Sequence, residues 1–257
     1  MTATMTARRR IDFNCDLGEG CGDDAAIVPW ISSASIACGA HAGDDASMRA
    51  TLRLCRAHGV AAGAHPGHAD PDHFGRRELD LSESDLRALL HAQLQRIAAL
   101  AEAEGVRLAH VKPHGALYNQ SAREPGIARV IATAVRDFDR GLRLYGLAGS
   151  ASIEAAKAAG LEVAEEAFAE RAYDGDGRLA PRDTPGAVLS GIGPALAQVR
   201  LLLREGCVLA RDGSRLALRA DTLCLHGDRE DAAAFARALR QALETEGVRV
   251  MSPGMSS

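Results

Sequence analysis

Lysine is almost missing from this chain. Among 257 residues there are 30 Lys and Arg, and all but Lys112 and Lys157 are arginine. The net charge is only −4, so bulk electrostatics draw the chain neither to nucleic acid nor to an acidic membrane surface, and a small-molecule ligand fits better. Aromatic residues make up 4% of the chain, with Trp30 the only tryptophan, which leaves little to stack against a carbohydrate or peptide. No apolar run reaches the roughly 18 residues a spanning helix needs, and the opening MTATMTARRR carries basic residues with no apolar stretch behind them. A cytoplasmic protein is expected. The six cysteines include no C-x-x-C pair, which argues against a zinc knot or a disulfide framework and suggests free thiols that mostly fill the core. No G-x-x-x-x-G-K-[ST] loop occurs either, so any ATP site is not a P-loop.

Against that background, one of the two lysines stands out. HVKPHGALYN (residues 110–119) closes an apolar run and then places Lys112, Pro113, His114 and Gly115 where a strand gives way to a loop. Lysine is a compact point charge whose pKa moves on burial, whereas arginine is a broad and permanently charged fork. Keeping lysine here, in a chain that otherwise uses arginine, suggests a chemical role. The plain alternative is a salt-bridged lysine at a strand end.

The same placement recurs along the chain. Residues 11–16 (IDFNCD) alternate and run into a glycine-rich acidic loop that is not G-x-G-x-x-G, with Asp12, Asn14 and Asp16 on one face of the strand. Residues 33–38 form a strand followed by His41, Asp44 and Asp45, and a helix over 46–58 repeats Met48, Leu52 and Cys55; Asp45 is the expected cap. Residues 60–64 form a third strand, followed by a loop bearing His65, His68 and His73, whose H-x-x-H spacing is a poor match to the helical H-E-x-x-H zinc pattern. Helices are expected over 82–104, 125–137, 151–159, 195–204 and 230–246, strands over 142–147, 161–164 and 220–225, and a hairpin around Asp212-Gly213 within 207–218. The long loop after residue 164, with DGDG and two prolines, exceeds a simple connector.

Strand, polar loop and helix thus alternate about seven times, which implies a parallel sheet. A length near 250 residues suits a single (β/α) barrel over 1–257, with 1–10 a flexible tail. In a closed barrel the strands' C-terminal ends meet on one face. Asp12, Asp16, His41, His65, Lys112, His114, Glu166, His226 and Asp228 would converge there around one pocket.

With those residues in hand, the chain resembles the LamB/YcsF family. The segments DFNCDLGEG, SASIACGAHAGD, GAHPG, FGRREL, HVKPHGALYN, EAFAERAYDGDGRLAPR and TLCLHGD carry the resemblance, in order, from Asp12 to Asp228. It implies a seven-stranded (β/α) barrel akin to the metal-dependent sugar deacetylases. It also implies the A component of a bacterial 5-oxoprolinase, which opens 5-oxoproline to glutamate with ATP and partner subunits B and C. On that reading Asp16, His41, His65, Lys112 and His114 are the candidate catalytic groups, with Lys112 the cation for developing negative charge. Asn14, Glu166, His226 and Asp228 are then candidate substrate contacts. The rival is a stand-alone, metal-dependent amide or sugar deacetylase in which Asp16, His65 and His114 hold a divalent ion that activates water.

Overall fold

A computed structural model describes residues 10–228 and 231–254. In chain order the elements are β1 (Arg10–Leu17), α1 (Asp24–Ile27), β2 (Ser33–Ala37), α2 (Asp45–His58), β3 (Ala61–His65), α3 (Glu83–Ala103), β4 (Leu108–Val111), α4 (Gly115–Arg123) and α5 (Pro125–Phe138). They continue with β5 (Arg143–Leu147), α6 (Ala151–Ala158), β6 (Val163–Phe168), α7 (Ile192–Glu205), β7 (Cys207–Leu209), β8 (Arg215–Ala217), β9 (Thr222–His226), α8 (Ala232–Thr245) and β10 (Arg249–Val250).

The strands β1-β2-β3-β4-β5-β6-β9 pair in parallel, and β9 returns to β1 through Asp12↔Thr222 to Asp16↔His226. This closes the seven-stranded barrel expected from the sequence. The short β10 adds outside it, against the start of β1, and β7 with β8 forms the separate antiparallel hairpin.

The helices cover the barrel with stripes read off their apolar spacing. Met48, Leu52 and Cys55 of α2 and Leu86, Leu90, Leu94 and Ile97 of α3 are all buried. Side chains also fill the barrel's interior, and the narrow strands β2 (SASIA) and β3 (AAGAH) leave room for larger residues opposite. At Gly63 a Cβ would fall 2.3 Å from the His110 ring, so only glycine fits there.

Several local expectations need correction. Asp44, not Asp45, caps α2: it accepts from the Ser47 amide while Ser47 Oγ accepts from the Asp44 amide, the reciprocal capping box. Asp45 instead sits in the first turn and pairs with Arg96. The central motif does not stay a loop, because α4 starts at Gly115 and buries Leu117, Tyr118 and Ser121. The strand expected over 161–164 runs on to Phe168, which places Glu166 inside the barrel and not after it. Arg10, expected in a tail, is the first residue of β1; residues 1–9, and residue 230 where the last helix was expected to start, lie outside the described residues.

Candidate active site

Lys112 leaves β4 at the barrel's C-terminal end and is only 2% exposed. Its Nζ lies 2.8 Å from Asp16 Oδ1, 2.9 Å from Glu166 Oε1, 3.0 Å from Asn14 Oδ1 and 3.0 Å from Cys224 Sγ. Burial alone would pull the ammonium's pKa down, but Asp16, Cys224 and Glu166 hold it well above the ordinary lysine value. Burial likewise pushes Asp16 up, yet His65 and Lys112 prevail and keep it well below the usual carboxylate range. Lys112 is therefore the hub of a buried charge network with all its protons already directed at neighbours. Cys224 is more than the core filler expected of it: its sulfur is a Lys112 contact, with the thiol pushed well up by burial.

A second cluster stands beside this one. His65 Nδ1 lies 2.7 Å from the Lys112 carbonyl and His114 Nε2 lies 2.9 Å from the Phe74 carbonyl, so both of these nitrogens donate. The inner nitrogens, His65 Nε2 and His114 Nδ1, face each other at 2.9 Å. One position between them is left, for a proton or a cation. Glu19 Oε1 is 3.4 Å from His114 Nδ1 and 3.6 Å from His41 Nε2, and Asp16 Oδ2 is 3.4 Å from His65 Nε2. Phe74, the one non-glycine with a positive φ (54°) among the described residues, turns its carbonyl onto His114. Gly67 lets the chain pass His41, whose Nδ1 would lie 2.7 Å from an added Cβ.

Burial, then the Asp16 and Asp228 charges, push Glu19 up to about 8. Burial and the His65 charge pull His41 down to about 3, and the same causes hold His114 well below its ordinary value. Sequence reasoning misses Glu19, because it lies in a glycine-rich turn with no strand pattern to mark it. Its only signal there is an acid two residues beyond β1.

The cluster fits a divalent cation in part. Candidate ligand atoms of Glu19, His41, His65 and His114 lie within 4.8 Å of one another. Glu19 Oε1 and both His41 ring nitrogens are buried without a hydrogen bond. His65 and His114 each anchor their outer nitrogen on a carbonyl, the usual support of a metal-binding imidazole. Adjacent ligands around a tetrahedral ion stand about 3.3 Å apart, close to the spacings here. His41 and His114, however, are stacked with planes 2° apart and centroids 3.8 Å apart, and two such rings cannot both hold one ion in their planes. Glu19, His65 and His114 are the consistent set.

The remaining candidates are placed as follows. Asn14 bonds Glu166 (2.9 Å) and Thr222 (2.7 Å), linking Lys112 to the layer below. His226 is held by Glu170 at 2.7 Å and stacks on Phe168. Asp228 stands at the rim, paired with Arg76 and Arg182, which lower its pKa against burial. Asp12 does not reach the mouth: four residues before Asp16 at about 3.3 Å each, it lies about 13 Å lower in the barrel. His68 and His73 turn aside to Gln120 and Asp70. Asp16, His65, Lys112, His114 and His226 line a cavity of about 760 Å³, together with Tyr118, Leu147 and Phe168 and with arginines from the long loop.

Residues 11–256 match the LamB/YcsF family. The chain belongs to that family. Among curated proteins it is similar to the 5-oxoprolinase A subunits of Bordetella pertussis and Bordetella parapertussis, each 48% identical over 94% of this chain and 98% of the relative. Among solved structures it is similar to a lactam utilization protein from Thermus thermophilus. That structure is 46% identical, has a TM-score of 0.88, and the match covers 94% of this chain and 99% of that one. The likeness thus spans nearly the whole of this chain. No helix among its described residues is long and apolar enough to cross a membrane.

Proposed function

We propose that this chain is the A component of an ATP-dependent 5-oxoprolinase, a cytoplasmic enzyme that opens 5-oxoproline to L-glutamate with partner subunits B and C. The observation that carries the reading is the 48% identity over 94% of the chain to relatives of that name. The cavity supports it with ionised, neutral and proton-bearing groups side by side.

A five-membered lactam is a resonance-stabilised amide with little ring strain, so water alone attacks it poorly. Transfer of the γ-phosphoryl group of ATP to the lactam oxygen, with departure of ADP, makes the ring carbon electrophilic. Water then adds to that carbon, the C–N bond breaks as nitrogen takes a proton, and a second water frees phosphate from the acyl phosphate to give glutamate. Asp16 is kept ionised by Lys112 and His65 at the cavity floor. His65 and His114 share the position through which a proton reaches or leaves the cavity. Glu19, protonated up to about 8, is the reserve acid behind them. His41 supports Glu19 and His114, while Asn14 and Glu166 fix Lys112. His226 and Asp228 contact substrate from the wall and the rim. A divalent ion held by Glu19, His65 and His114 would take the place of the proton between the two imidazoles, with Glu19 then ionised, and would supply a Lewis acid for the carbonyl oxygen. Because the chain has no P-loop sequence, ATP is assigned to a site shared with the partners, which dock on the loop face formed by residues 169–191.

Glutamate release from 5-oxoproline with ATP is the test, run with the chain alone and then with co-purified B and C subunits. Activity confined to the mixture is expected. The cation-ready geometry at Glu19, His65 and His114 favours a second reading, a stand-alone metal-dependent amidase or deacetylase. Robust ATP-independent hydrolysis of an amide by the isolated chain would establish that one instead.

A further inference from the structure

Arg171 follows β6 in the long loop and is only 4% exposed. Its guanidinium is held by neutral groups: Nη2 donates to the Ala180 carbonyl at 2.5 Å and Nε to the Ala187 carbonyl at 3.3 Å. Nη1 has no hydrogen bond among the described residues, and no carboxylate of those residues comes within salt-bridge range. The other arginines around the cavity differ. Arg76 pairs with Asp228, Arg123 with Glu78 and Glu124, and Arg178 with Asp176. Arg182, 3.6 Å from an Asp228 that Arg76 already engages, stands close enough to depress Arg171, which burial and this second charge pull down to about 10. A buried cation without a counter-charge is costly to maintain. Arg171 is such a group among the described residues, and with the partly exposed Arg182 beside it at the same cavity it calls for an anionic ligand.

The cavity they line also contains Phe168 and Leu147, with Asp16 and Lys112 at its floor. It thus offers a cationic wall, an apolar wall and a polar floor. 5-Oxoproline has three matching parts: a carboxylate, a flat ring of methylenes, and an amide. We propose that Arg171, assisted by Arg182, binds the carboxylate of the lactam substrate, which lays the ring along Phe168 and points its amide at the Asp16–Lys112 floor. This rests on the 5-oxoprolinase reading and adds its specificity: a free carboxylate next to the lactam is required, and an unsubstituted lactam is discriminated against.

The experiment measures KM for 5-oxoproline and for ATP, and competitive inhibition by 2-pyrrolidinone, which lacks the carboxylate, on the assembly with B and C subunits. Arg171→Gln and Arg182→Gln are compared with wild type. A charge-assisted, two-pronged hydrogen bond is worth about 10- to 100-fold in affinity. We expect Arg171→Gln to raise KM for 5-oxoproline by about 30-fold or more and Arg182→Gln by about 5-fold. Inhibition by 2-pyrrolidinone and kcat should stay within about 3-fold of wild type. Arg182 is partly exposed, so its variant keeps the test intact should Arg171→Gln fail to fold, and Arg171→Lys should recover part of the loss. Equal weakening of 5-oxoproline and 2-pyrrolidinone would reduce Arg171 to a staple of its loop and overturn the proposal. A rise in KM for ATP alone would also overturn it, by assigning the pair to phosphate. A wild-type assembly that releases no glutamate sinks the functional reading itself, whereas an active one with unchanged variants sinks only the carboxylate site.

Discussion

Asp12 and Asp16 lie on the same face of β1 and are both buried, yet the barrel treats them oppositely. Asp16 meets a cation, Lys112, and an imidazole, His65. Asp12 meets only hydroxyls, those of Ser32, Ser33, Thr222 and Tyr145. Burial raises the Asp12 pKa and the hydroxyls do not bring it back, while the charges around Asp16 overcome the same burial. Alternation along the strand put both carboxylates inside the barrel; the residues arriving from other strands decided which stays ionised. The upper layer is a charged network open to a cavity, and the lower one a closed polar plug. A hydrogen-bond chain joins them, from Lys112 to Asn14, from Asn14 to Thr222, and from Thr222 to Asp12.

Removing the cation tests the contrast most severely. Lys112→Met leaves Asp16 and Glu166 buried without a counter-charge, a loss of about 3–5 kcal/mol. Denaturant unfolding should show it, with glutamate release by the assembled enzyme undetectable. Adding Glu166→Gln should restore part of the stability but none of the activity. A single Lys112→Met variant as stable as wild type would mean that the upper network is not charged. Lys112→Arg, conservative in charge, should also fail, because four contacts at 2.8–3.0 Å leave no room for a larger head group.

An intermediate effect is expected at His110, which lies between the layers with its Nε2 3.2 Å from Ser35 Oγ and its ring stacked on Tyr145. Burial, followed by the Lys112 charge, pulls its pKa down to about 3 from an ordinary 6.5. The folded state then binds fewer protons than the unfolded one between those values. Stability present above pH 6.5 is therefore lost as pH falls toward 3. His110→Gln should flatten that acid limb: between pH 7 and pH 4.5 its unfolding midpoint should drop less than that of wild type. A parallel pair of curves would show that His110 is not the group responsible.

Much of this contrast was legible in the sequence, and the rest was hidden for identifiable reasons. The barrel could be read because each strand carries small or apolar residues and ends in a glycine-rich polar loop. The same rhythm marks His41, His65, Lys112 and His114, whose rings and ammonium the structure brings within one neighbourhood. Depth along the barrel axis was not legible, since a period of two gives the face and not the layer, and for that reason Asp12 is expected at the mouth when only the sequence is read. Glu19 and Arg171 escape notice because they lie in segments with no periodicity, where position depends on turns such as those at Gly18 and Gly20. Cys224 escapes it because a scattered cysteine inside an apolar strand looks the same whether it fills space or touches a lysine.

The mildest change sharpens the contrast from the other side. Asp12→Asn keeps the shape and one of the two acceptor oxygens that the four hydroxyls share, replaces the other by NH2, and removes the charge. Because the folded-state pKa of Asp12 lies above its ordinary 3.8, the folded protein favours the protonated form. The stability gained from that proton is complete below pH 3.8 and fades as pH rises through the folded value. At pH 7 the neutral amide should therefore be tolerated, with unfolding free energy within about 1 kcal/mol of wild type and turnover within about 3-fold. As pH is lowered toward 4, wild type should gain on the variant, because its own carboxyl becomes neutral and can donate. Denaturant melts at pH 7 and pH 4.5 read both effects. If Asp12→Asn instead destabilised at pH 7 as much as Lys112→Met, the lower carboxylate would be paired as firmly as the upper one, and the two layers would form a single network extending down to Tyr145.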